Sequence, residues 1–146
     1  MTPKFLYQLS HKLEKLSIPI IPKLLTYMIR LIFSAYIPSG SKIGKDIVFG
    51  YGGLGIVIHK NSVLGSGCHL SQNVTIGGTS KKEGVPIIGN DVYIGAGAVI
   101  IGPVTIGDNV VIGANSVVVN DIESNSLVVG IPAKVIKSGI LKSDYV

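Results

Sequence analysis

Acidic residues, cysteine and histidine are all scarce in this chain. Only 8 of 146 residues are Asp or Glu, against 13 Lys or Arg, with one cysteine and three histidines. A single cysteine excludes an intrachain disulfide framework. No Cys–His or carboxylate cluster has metal-ligand spacing, so no metal is expected. Aromatic residues make up 6% of the chain and do not interleave with basic ones, which leaves no platform for stacked bases. The charge is also uneven. Residues 1–36 carry Lys4, Lys12, Lys15, Lys23 and Arg30 against Glu14, which is +4 of the total +5. The remainder is nearly neutral and lacks the basic stripe of a nucleic-acid surface.

Against these scarcities stand 19 glycines and an apolar content of 47%, which suit a solenoid better than a disordered chain. Stepping by six from Ile58 gives Leu64, Leu70, Ile76, Lys82, Ile88, Ile94, Ile100, Ile106, Ile112 and Val118; every one but Lys82 is Ile, Leu or Val. A period of six is neither helical nor that of a strand. It marks a parallel β-helix of hexapeptide turns. Glycine follows the apolar step in six of the turns, where a tight corner needs it. The fifth position is small or branched, as in Cys68, Val74, Ser80, Val92, Ala98, Val104, Val110, Ser116 and Ile122. With three turns per coil, residues eighteen apart stack. The expected columns are Ile58–Ile76–Ile94–Ile112, Leu70–Ile88–Ile106 and Leu64–Lys82–Ile100–Val118. A lysine inside a dry prism is very costly. The chain is therefore expected to leave the coil as a loop over residues 79–86.

Three segments result: an N-terminal helical segment (1–36), a β-helix (37–137) and a C-terminal tail (138–146). Within the first, residues 4–16 read as an amphipathic helix broken by Pro19 and Pro22, and a second helix is expected over 22–35. Two prolines, Lys23 and Arg30 argue against a membrane span over 18–36, and no signal-peptide pattern is visible. Two readings of the helices stay open: they cover the prism end or pack between subunits, or they lie as a cationic surface on an anionic membrane.

Of the three histidines, His11 reads as solvated on the first helix, and His69 precedes an inward leucine and points outward. His59 occupies a corner where other turns have glycine. It follows the glycine-dense stretch Gly50–Gly55, in which the distance from Phe49 to Ile58 is nine residues rather than six. Three extra residues bulge out beside an imidazole, and loops leaving a rigid scaffold carry function. His59 is thus either a structural corner or a general base worth about 10²–10⁴ in rate.

The runs Gly53-Leu54-Gly55-Ile56-Val57-Ile58-His59, Asn73-Val74-Thr75-Ile76-Gly77-Gly78-Thr79, Ile94-Gly95-Ala96-Gly97-Ala98 and Gly130-Ile131-Pro132-Ala133-Lys134-Val135-Ile136 together resemble the hexapeptide-repeat acyltransferases, in their serine acetyltransferase-like branch. The likeness covers about residues 37–137. The N-terminal pair of helices resembles short members found among cell-surface polysaccharide enzymes. The resemblance implies an all-β left-handed parallel β-helix with a short N-terminal helical segment, a homotrimer, and acetyl-CoA bound along the groove between neighbouring prisms. It places Gly78 near the thioester, Ala96 and Ala114 along the pantetheine arm, and Asn120, Lys134 and Lys137 near the C-terminal end of the coil. The two lysines also suit the coenzyme's phosphates on charge alone. Corner Gly and Ala let a thioester arm approach backbone N–H groups that stabilise an oxyanion. The chain departs from the branch at two loops. Where serine acetyltransferases carry a catalytic histidine before the Gly-Ile-Val run, this sequence has Gly50-Tyr51, and where they carry another before a proline, it has Val85-Pro86.

The resulting expectation is an acetyl-CoA-dependent O-acetyltransferase. His59 acts as base, Tyr51 orients the acceptor or His59, and Asn73 is a lesser candidate. The acceptor is a sugar hydroxyl of a surface-polysaccharide precursor, with free serine as runner-up. Acetyl-CoA supply argues for the cytoplasmic side, at the inner face of the membrane if residues 1–36 touch it. Two other classes remain: a non-catalytic trimeric scaffold, and a metal-dependent hydratase, against which the lack of a third coil histidine already counts.

Overall fold

The computed structural model describes residues 2–18 and 20–146. Two helical segments packed on each other precede the coil: α1 (Pro3–Lys15) and α2 (Ile21–Phe33). Both begin and end slightly earlier than the sequence suggests. Thr2 starts α1, its hydroxyl accepting the Phe5 N–H at 3.3 Å with Pro3 in the first turn, a position where the missing proline donor costs nothing. Ser34 ends α2 in a left-handed conformation at φ 53°. Pro19, expected to end the first helix, lies outside the described residues.

Fourteen short strands follow. Their order is β1 (Lys42–Ile43), β2 (Val48–Phe49), β3 (Val57–Ile58), β4 (Val63–Leu64), β5 (His69–Leu70), β6 (Thr75–Gly77), β7 (Ile87–Ile88), β8 (Tyr93–Ile94), β9 (Val99–Ile101), β10 (Thr105–Ile106), β11 (Val111–Ile112), β12 (Val117–Val118), β13 (Ser126–Gly130) and β14 (Ala133–Ser138). They stack into three faces. The first is β1-β4-β7-β10, the second β2-β5-β8-β11-β13-β14, and the third β3-β6-β9-β12. All pairings are parallel except β13–β14. This is the parallel β-helix that the six-residue period predicts.

The inward positions are as expected. Ile58, Leu64, Leu70, Ile76, Ile88, Ile94, Ile100, Ile106, Ile112 and Val118 are all buried, as are Cys68, Val74, Val92, Ala98, Val110 and Ser116. The Cys68 thiol is filler, its Sγ donating to the Gly89 carbonyl at 3.2 Å. Ser80 is the exception to the small inward set; it is exposed, because it belongs to the loop. That loop leaves the coil after Gly78 and is closed on itself by a bridge between Thr79 and Lys82, so Lys82 is solvated.

Across the 79–86 loop the columns differ from eighteen-residue stacking. Ile76 lies on Ile100 rather than Ile94, Leu64 on Ile88 rather than Lys82, and Leu70 on Ile94 rather than Ile88. The loop adds one hexad's length outside the prism, so the clock survives while every column advances by one turn and the rise becomes twenty-four residues. In the coil before it, Ile43–Leu64 and Phe49–Leu70 are twenty-one apart, because the glycine bulge adds three residues. Eighteen holds as expected for Ile58–Ile76 before the loop and for Ile88–Ile106, Ile94–Ile112 and Ile100–Val118 after it. Corners stack too closely for side chains: a Cβ on Gly95 would lie 2.6 Å from the Ala114 nitrogen.

Both ends of the prism are covered. At the start, Tyr7 of α1 donates its hydroxyl to the Ser41 carbonyl at 2.6 Å and accepts the Ile43 N–H at 3.2 Å. His11 is not simply solvated. Its Nδ1–H donates to the Ser39 carbonyl at 2.6 Å and the ring stacks on Tyr7. At the other end β14 folds back on β13, and the tail reaches across the coils. Ile140 N–H donates to Asn125 O, Lys142 N–H to Asn109 Oδ1 at 3.1 Å, and Lys142 Nζ to Gly67 O at 2.6 Å.

Because Ile94 sits fully buried in the second face, Ile94→Ala is expected to cost about 2–5 kcal/mol by urea unfolding. Ile87→Ala on the outer side, 51% exposed, should stay within about 0.5 kcal/mol. Equal losses would mean the columns do not carry the stability.

Candidate functional site

Strand register places the candidate residues. His59 follows β3, and the residues stacked at its corner are Gly77, Ile101 and Val119. One step further round the same edge come Lys60, Gly78, Gly102 and Asn120. His59, Gly78 and Asn120 therefore share the edge between the third and first faces. Most corner glycines have neighbours pressing on them, but a Cβ on Gly77 would meet nothing within 4 Å, so the rung beside His59 is open. The loop of residues 79–86 springs from this edge. It roofs a groove of about 550 Å³ lined by Thr79, Lys81, Lys82, Gly102 and Asn120. Lys60 reaches a second cavity, about 610 Å³, between the helices and the first coil, which Tyr36 and Lys23 also line.

The other edge, between the second and third faces, carries Tyr51, Asn73, Ala96 and Ala114. Tyr51 sits in the glycine bulge in a left-handed conformation, φ 49°, and is 82% exposed. It does not orient His59 within the chain, being on a different edge. Asn73 is also left-handed, at φ 59°, and its carboxamide fills the space that a Cβ on Gly55 would need. Asn115 does the same under Gly97 and Asp91 under Gly67. Asn73 thus belongs to a repeated corner device, which gives it a structural task.

Lys134 and Lys137 lie on β14. Three residues apart on a regular strand, they would face opposite ways. A register shift lets Lys134 pair with Val129 and Lys137 with Leu127, two positions on the same side of β13, so the bulge brings both lysines to the outer face. Both are exposed.

The group that holds the His59 ring is the backbone of its own turn. Asn61 N–H donates to Nδ1 at 3.2 Å. A ring nitrogen that accepts a hydrogen bond carries no hydrogen, so in the neutral ring the hydrogen is on Nε2. With Nδ1 engaged by its own turn, Nε2 is the ring nitrogen left to face the edge. His69 is the contrasting case. Its ring packs edge-on against Tyr93, centroids 5.2 Å apart, while Tyr93 Oη is hydrogen-bonded to Ser71 Oγ at 3.2 Å. Among the described residues neither nitrogen of His69 has a hydrogen-bond partner. Its Nε2 lies 3.5 Å from where a side chain on Gly50 would begin, beside Tyr51. Burial, and then the Lys142 cation, push its pKa below 6.5, so near neutral pH it is an uncharged imidazole able to accept a proton.

Sequence reasoning did not single out Lys60, Lys81 and Lys82 as edge cations and left His69 as an outward side chain. The lysines had a signal, since the loop was placed correctly. For His69 the signal lay in two other coils, Gly50 before it and Tyr93 after it, which pattern alone does not bring together. Among the described residues no three of His, Cys, Asp and Glu are grouped to hold a metal ion.

Residues 86–120 match the family described as bacterial transferase hexapeptide (six repeats). The chain is 41% identical over 137 residues to the serine acetyltransferase of Synechococcus elongatus, covering 92% of this chain and 56% of that one. It is 39% identical over 132 residues to that of Helicobacter pylori, covering 89% and 77%. It thus spans little more than half the length of the former. Among solved structures, serine acetyltransferase of Brucella abortus in complex with coenzyme A superposes with a TM-score of 0.87 at 30% identity, over 92% of this chain and 55% of that one. Soybean serine acetyltransferase complexed with serine superposes equally well, TM-score 0.87, at 34% identity, over 92% and 56%.

Two nuclear-magnetic-resonance readouts check the imidazoles. The ring nitrogens of His59 should show the Nε2–H form, in which His59 acts as a donor; an Nδ1–H form would leave Nε2 free to act as the base. His69 should titrate below 6.5, and Lys142→Ala should raise its midpoint by removing a like charge and loosening the tail. Since the folded ring holds its proton less tightly than the unfolded one, its contribution to stability is present above pH 6.5 and fades as pH falls through the folded value.

Proposed function

This chain belongs to the serine acetyltransferase family of hexapeptide-repeat transferases, and we propose that it moves the acetyl group of acetyl-CoA onto the hydroxyl of serine. The observation that carries this reading is likeness through almost the whole chain to proteins of that one name, including structures with coenzyme A and with serine. It favours serine over the sugar acceptor expected from the short N-terminal segment.

The chemistry follows from the two histidines. His69, neutral and without a partner, takes the proton of the acceptor hydroxyl. The oxygen attacks the thioester carbonyl directly, forming the new C–O bond, and Nε2–H of His59 donates to the oxyanion beside the backbone N–H of Gly78. Collapse breaks the C–S bond, and the proton on His69 passes to the departing sulfur. Ala96 and Ala114 leave room for the pantetheine arm. Lys134 and Lys137, and on the other edge Lys81 and Lys82, answer the phosphates.

His59 and His69 stand on different sides of one prism, as do Gly78 and Ala96. A working site then needs one edge from each of two copies, which supports a homotrimer with the coenzyme between neighbours. Use of acetyl-CoA suits the cytoplasmic side.

Release of free thiol from acetyl-CoA should depend on serine and not on sugars or nucleotide-sugars. His69→Ala should lose about 10²–10⁴ in rate and His59→Ala about 10²–10³. Co-expressing the two inactive variants should restore part of the activity, because mixed trimers contain interfaces with both histidines intact. A sugar-dependent release would replace the acceptor, failure of the mixture to recover would place both histidines in one chain's site, and no release with any acceptor would favour a scaffold.

A further inference from the structure

The helices carry a second apolar face that none of the described residues covers. Leu25 and Ile29 of α2 are buried. At 100° per residue, Ile20, Leu24 and Leu31 fall on the side turned away from them, with Ile21 and Ile32 between that side and Leu25. These are 75%, 58% and 87% exposed for the first three. Phe5, Leu9 and Leu16 form the matching stripe of α1, opposite buried Leu6 and Tyr7. Cations flank both stripes: Lys23 and Arg30 on α2, Lys12 and Lys15 on α1. Among the described residues no helix is long and apolar enough to cross a membrane.

We propose that this face is the docking surface for an anionic lipid bilayer, on which the two helices lie flat with the coil projecting away. An apolar stripe edged by cations is the arrangement that inserts side chains at the headgroup boundary while the cations meet lipid phosphates. Charge decides against a second copy as the occupant. Residues 1–36 hold five cations and Glu14 as the sole carboxylate. Two such faces pressed together would desolvate like charges without partners, whereas anionic lipid supplies the partners. Each cation near such a surface raises affinity roughly fivefold.

Flotation of the full chain with phosphatidylcholine vesicles, with and without phosphatidylglycerol, tests this. Binding is expected only with phosphatidylglycerol and should weaken with added salt, which screens exposed charge. The double variant Leu24→Glu, Leu31→Glu alters exposed side chains, and an unchanged circular-dichroism spectrum would show it folded. It should lose binding by roughly tenfold or more. Absence of flotation, or equal flotation on both vesicles, overturns the proposal. So does a smaller oligomer in the double variant by sedimentation, which would show that another copy covers the face.

Discussion

Every feature of this protein hangs on the stacking of inward aliphatic side chains along a narrow prism. Each rung passes its backbone N–H groups to the carbonyls of the next, and each inward Ile, Leu or Val must land on another. A rung cannot slip by one residue, because that would turn its apolar side chain to water and its polar neighbour inward. The only freedom left is to push residues out at an edge. The glycine bulge and the 79–86 loop both do so, and neither disturbs the column it interrupts.

That constraint explains where chemistry can be placed. The faces are committed to hydrogen bonding and the interior to packing, so distinctive side chains collect at edges and on the outer sides of strands. His59, Gly78 and Asn120 share one edge; Tyr51, Ala96 and Ala114 share another. The prism is stiff, so these sets keep their spacing along the axis, and a long flexible ligand can be measured against it.

The period of six made the coil, the buried set and the exit of Lys82 legible, because packing imposes that period directly on residue types. Column partners were not legible across the loop: an excursion of one hexad's length leaves the clock unchanged while moving Ile76 from Ile94 to Ile100. The pairing of Lys134 with Lys137 depends on a bulge in β14 that alternation does not disclose. The His59 tautomer depends on the Asn61 N–H two residues away, a local turn whose geometry has no compositional mark. Conversely, the hydrophobicity of the second helix was plain, but only the packing separates its covered side from its bare one.

The reversal of β14 has a bearing on solubility. A parallel coil exposes at its last rung a row of unpaired backbone groups that would accept another chain's first rung just as it accepts its own. Here β14 runs the opposite way along the second face, presents lysines outward, and is followed by a tail tied back to Asn125, Asn109 and Gly67. The helices close the other end through Tyr7 and His11. A column that would otherwise be free to polymerise head to tail into a fibre is thereby made a particle of set height.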